Sequence, residues 1–336
     1  MNKIAKTVLM TGTALCAAGV VLSTAGYFAG GKDFTYTSDH MYVSGGNSSS
    51  RKNLTVMKKE QIDDFSKLNV NFENFDLDIR TSDDDHYYME YKLEKNGRKN
   101  PLTWKDKDGE LTLEEPAGGS GSYYITYDLG IFSTHADLTE KKDALNTVVL
   151  YIPEKAQLSE AELQLSDGDL AADQLLCKEM TLELLNGDLM LDKGEFEKFD
   201  AKLSDGDLNV KELQCTDNMQ LKSGNGDVTI KKAELADGQI ALSDGDIQID
   251  NSSFNGDMKI NSSCGDVSVE MKNGSAEKTN IYLKATDGDV DTEGLSRGKT
   301  DNEEDTSVYE NKAGASAPTL NVECSDGDIT LTESEK

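Results

Sequence analysis

Six aspartates, Asp169, Asp188, Asp207, Asp227, Asp246 and Asp266, recur at intervals of 19 or 20 residues, each directly behind a glycine. If the chain coils once per interval, their carboxylates stack about 4.8 Å apart in a ladder. Like charges that close repel by about 1 kcal/mol in bulk water and by more when partly desolvated. A bound divalent cation would relieve the repulsion, so calcium is the cofactor this pattern allows; no other is indicated. The glycine-rich nonapeptide of calcium-binding β-rolls is absent, however. The rival reading is architectural: an aspartate behind a glycine accepts hydrogen bonds from the amides of its own turn.

Other chemistry finds little support. The three histidines, His40, His86 and His135, lie in polar stretches. Ser133, His135 and Asp137 are neighbours in one such stretch, and near neighbours do not form a catalytic triad. Polysaccharide-cleaving folds place paired carboxylates in a groove, whereas these acids gather at a corner. An enzyme is not expected. Cys16, Cys177, Cys215, Cys264 and Cys324 form no CxxC pair and no metal-ligand spacing. Cys177 and Cys215 hold equivalent positions two coils apart, about 10 Å and beyond disulfide reach, which suits buried thiols.

The aspartates need a scaffold that repeats with them. The motif is a small polar residue or two, Gly-Asp, then aliphatic-x-aliphatic, with corner glycines at Gly168, Gly187, Gly206, Gly226, Gly245, Gly265, Gly288 and Gly327. Alternating pairs follow the glycine (Leu170/Ala172, Leu189/Leu191, Leu208/Val210, Val228/Ile230, Ile247/Ile249) and precede it (Leu163/Leu165, Leu182/Leu184, Ala201/Leu203). Period two means a strand with one buried face. A third apolar column falls nine residues after the glycine, at Cys177, Phe196, Cys215, Leu235 and Phe254. The expected fold is all-β: a single-stranded β-solenoid or β-helix of coils of about 20 residues, preceded by one N-terminal transmembrane helix. Each corner is expected to use glycine for its positive φ.

Residues 7–28 carry no charge, and Lys3 and Lys6 precede them. That length spans a bilayer, and the flanking lysines keep the N-terminus cytoplasmic. A cleaved signal peptide ending near Ser23-Thr24-Ala25 is the alternative. The domain reading is therefore a transmembrane signal-anchor at 1–31, a polar tether at 32–60 and the solenoid at 61–336. The solenoid carries insertions at 114–146 and 291–317. Tyr123, Tyr124 and Tyr127 in the first insertion are the binding-loop candidates. A net charge of -29 excludes nucleic acid as a partner and favours cationic ones.

Specific segments carry a family likeness. They are the Lys-bearing N-terminus, the apolar stretch ending Gly-Tyr-Phe-Ala-Gly-Gly (26–31), FSKLNVNFENFDLDI (65–79), VVLYIPEKAQL (148–158) and the Gly-Asp strands. Together they resemble the bacterial cell-surface family catalogued as "putative adhesins", a domain of unknown function. The likeness covers residues 60–336, with Phe75 departing from the small corner residue of later coils. It implies a β-helical domain on the outer face of a membrane, with no catalytic residues to carry over. The functional expectation is a non-catalytic surface scaffold bound to the membrane through its N-terminal helix. Its partners would be wall polymer, a cationic peptide or another surface protein. The alternative is a cell-envelope stress sensor or regulator acting through a membrane partner.

Overall fold

The computed structural model describes residues 34–36, 41–43 and 54–334, apart from 96, 118–144, 293–294, 296–297 and 304. The described chain is all-β except for one 3-10 turn, Ala276–Lys278. It divides into two compact units. The described part of the first (1–54 with 119–141) is an antiparallel pair, Phe34–Tyr36 with Met41–Val43. The second, 55–118 with 142–336, contains every coil of the repeat. The expected transmembrane segment lies outside the described residues; among the described ones no helix is long and apolar enough to cross a membrane.

The period-two pattern becomes a stack of parallel strands. Leu158–Asp167, Leu170–Asn186, Leu189–Asp205 and Leu208–Asn225 pair in register, one repeat apart. Before the corner, Leu163, Leu182, Ala201, Leu221, Ile240 and Ile260 form one column. After it, Leu170, Leu189, Leu208, Val228, Ile247 and Val267 form the second. Cys177, Phe196, Cys215, Leu235 and Phe254 form the third. All are buried, each aliphatic contributing about 2 kcal/mol relative to exposure. The result is a solenoid-like body with a narrow dry core. Where a coil has 20 residues instead of 19, a bulge opposite Phe196/Lys198 absorbs the extra one.

Spatial order departs from chain order at both ends. The first coil, Lys67–Phe72 and Asp76–Ser82, is not the outermost. It lies between the 158–172 coil and a later one made of Glu110–Glu114 and Thr147–Pro153. At the other end, the coil of Thr319–Asp326 and Ile329–Glu333 inserts between 258–271 and 280–291. Antiparallel strands then close each end: Tyr87–Glu94 and Thr103–Lys107 on one side, the hairpin Lys299–Glu303 with Thr306–Asn311 on the other.

Phe75 occupies the corner position where later coils have glycine. Its ring is buried and packs edge-on to Phe72, centroids 5.8 Å apart. The neighbouring bend is held instead by the buried Glu115 carboxylate, which accepts the amides of Glu73 and Asn74 and pairs with Arg98 at 2.7 Å. A carboxylate accepting several donors is stable out of water in a way a lone one is not.

Candidate functional site

The eight sequence-identified glycines do sit at the corners, but positive φ explains five of them: Gly206, Gly226, Gly245, Gly265 and Gly327. Gly168, Gly187 and Gly288 lie outside that region. What all eight share is close approach. A Cβ on any of them would collide with a backbone carbonyl of the adjacent coil, that of Phe75 for Gly168 and of another corner glycine for the rest. Stacking distance, more than turn geometry, therefore demands glycine here.

The aspartates behind them do line up. Each backbone N–H donates to Oδ1 of the aspartate one coil earlier in space, at 2.8–3.0 Å. This corrects the expected bond within the same turn: the carboxylate reaches across to the next coil because the corner amide there points at it. The run is Asp76, Asp169, Asp188, Asp207, Asp227, Asp246, Asp266, Asp328, Asp289. Its last two members reverse their chain order because the 319–333 coil is inserted. Asp76, Asp289 and Asp328 extend the six expected from sequence; an acid ahead of aliphatic-x-aliphatic marks Asp76 and Asp328, while Asp289 precedes Val290-Asp291-Thr292 and is marked only by its Gly-Asp pair.

A second column runs beside the first, just before the glycines. There Asn186 Nδ2 donates to Asp167 at 2.7 Å and Asn225 Nδ2 to Asp205 at 2.5 Å. Interleaved amides separate carboxylates that would otherwise face one another. Both columns are mostly solvent-exposed. Asp76 is half-buried under the outer coil, and burial pushes its carboxyl upward. Among the described residues no three His, Cys, Asp or Glu side chains converge as metal ligands would.

The ladder ends at Asp289, beside an open polar cleft of about 280 Å³ lined by Asp287, Gly288, Asn302, Asp305, Thr306 and Ser307. Cys177, Cys215 and Cys324 are buried free thiols; burial raises Cys177 to about 12, while Cys264 is exposed. His86 lies on an exposed turn. Tyr123, Tyr124 and Tyr127, and with them Ser133, His135 and Asp137, fall outside the described residues, as do His40 and Cys16.

Parallel coils, glycines at the corners of the repeat and a cross-coil aspartate ladder define a solenoid-like all-β class. Residues 65–332 match the family model described as Toastrack DUF4097. The chain belongs to that family. No curated protein matches it. Among solved structures it is similar to a "putative adhesin" from Parabacteroides merdae ATCC 43184, at 15% identity over 84% of this chain and 97% of that one, TM-score 0.49. It is also similar to a "putative cell adhesion protein" from Clostridium sporogenes ATCC 15579 (18%, 83% and 100%, TM-score 0.23). A third is a "putative lipid binding protein" from Parabacteroides distasonis ATCC 8503 (12%, 84% and 97%, TM-score 0.43). Likeness at this level carries nothing about what this chain binds.

Proposed function

We propose that this chain is a non-catalytic binding scaffold whose aspartate edge engages cationic partners. In this reading residues 1–31 anchor it, the polar residues between them and the strand Leu54–Ile62 tether it, and the body from that strand onward stands on the outer face of a bacterial membrane. The observation that carries the proposal is the ladder itself. From Asp169 to Asp328 along the ladder one carboxylate oxygen is fixed by the next coil's amide, and no hydrogen bond from a described residue reaches the other. The result is a rigid row of negative charge repeating about every 4.8 Å, on a chain of net charge -29. A preorganised row loses little entropy on meeting an extended polycation, and its field raises the encounter rate.

The test is a pull-down of residues 32–336 against cationic peptides and wall polymers, followed by titration across salt. Binding should weaken steeply with ionic strength. It should weaken again when Asp188, Asp207, Asp227 and Asp246 are all changed to Asn, which keeps the Oδ1 acceptor. No binding to either class at low salt would sink the proposal.

A further inference from the structure

The coil 319–333 lies between two coils that precede it in the chain, so the chain must step over a strand to place it. The step is residues 312–318, Lys-Ala-Gly-Ala-Ser-Ala-Pro, between Thr306–Asn311 and Thr319–Asp326. Its ends are two strand spacings apart, about 10 Å, yet seven residues can stretch beyond about 20 Å. Asn280 takes up the slack. Its Oδ1 accepts the amides of Ala313 (3.0 Å) and Gly314 (3.2 Å), and its Nδ2 donates to the carbonyls of Gly314 (2.9 Å) and Ala317 (3.0 Å).

The inserted coil is held by its ladders and by inward Leu320, Val322, Ile329 and Leu331. Those contacts would be identical in the slot of another copy. The Asn280 clamp would not, because it grips both ends of the step at once. It can do so only when one chain supplies both hairpin and coil. We propose that the 319–333 coil is exchangeable with a second copy of this chain, and that Asn280 is the positioning residue that keeps it at home.

The test uses full chains in which Cys16 and Cys264 are changed to Ser. One carries Asn261→Cys and the other Glu323→Cys, register partners across the slot. After mixing at high concentration, partial unfolding, refolding and oxidation, an exchanged coil gives a covalent heterodimer. Adding Asn280→Ala to both chains should raise its yield at least roughly tenfold, as the loss of several hydrogen bonds implies. Asn280→Asp keeps the acceptor, loses both donations and should fall between; it also covers an Ala variant that does not fold. Equal yields with all three residues at 280 overturn the proposal. So does a light-scattering mass that stays monomeric in the Asn280 variants at every concentration, whatever the cross-linking shows.

Discussion

A Cβ at Gly187 would strike the carbonyl of Gly168, although the φ of Gly187 lies outside the left-handed region. That separates the two reasons a corner can need glycine. Gly187→Ala should cost roughly 2–4 kcal/mol in urea unfolding. Gly314→Ala, with open space around it, should be neutral or slightly stabilising. A mild Gly187→Ala would show that the coils can move apart and that stacking is not what selects glycine. The aspartates divide similarly. Asp207→Ala strands the Asp227 amide and should cost about 1 kcal/mol. Asp207→Asn keeps the acceptor and removes a charge from between two like neighbours, so it should be neutral or stabilising, with any gain shrinking in salt. Asp76 adds a pH dependence. Its carboxyl is raised above the ordinary 3.8, chiefly by burial and then by the Asp169 charge, against the lowering pull of the Asp169 amide. A raised carboxyl favours the fold below its unfolded value and loses that contribution as pH rises through the folded one. At neutral pH the charge therefore costs stability. Asp76→Asn should gain stability at pH 7 and show no gain near pH 3; equal gains at both would contradict the burial argument.

The ends of the stack are where edges would invite pairing with another molecule. At one end the outer strand Thr103–Lys107 exposes Lys105 and Lys107, while Asp106 turns inward and accepts the Asp63 amide at 2.7 Å. Charge on an edge strand is a standard defence against edge-to-edge association. Replacing both lysines by valine should produce concentration-dependent self-association in sedimentation, with no loss of folded signal. Inside the stack, Ser223 and Ser262 point into the core column of Leu203 and Leu242 with hydroxyls that find no partner among the described residues. Ser223→Ala should therefore be neutral or stabilising. The columns themselves were legible in sequence, because Leu163/Leu165 and Leu182/Leu184 alternate wherever they sit. The order of coils at the ends was not. Met258-x-Ile260 could stack on Ile281-x-Leu283 as well as on Leu320-x-Val322, since every strand repeats the same alternation. The choice depends on the step over Asn280, which no local pattern announces. The cross-coil bonding of the aspartates was hidden for a related reason: it depends on the rise between coils, while sequence spacing reports only their period.

Out-of-order coils change how the whole body should come apart. A simple solenoid is nearly one-dimensional, so its last coil touches one neighbour and frays first. Here residues 319–333 have a parallel neighbour on each side, and the aspartate ladder passes through Asp328 on its way to Asp289. Opening that coil breaks two interfaces and separates 280–291 from the stack, so it approaches the cost of opening a central coil. Native-state hydrogen exchange reads this directly. Amides of 320–331 should be protected to the same order as those of 208–221, while Lys299–Glu303 on the outer hairpin should exchange far faster. The same hierarchy should survive added salt, because interior backbone bonds rather than surface ion pairs set it. If 320–331 exchanged orders of magnitude faster than 208–221, the inserted coil would be a loosely seated flap. The two ends would then fray independently, and the aspartate edge would lose its rigidity toward Asp289.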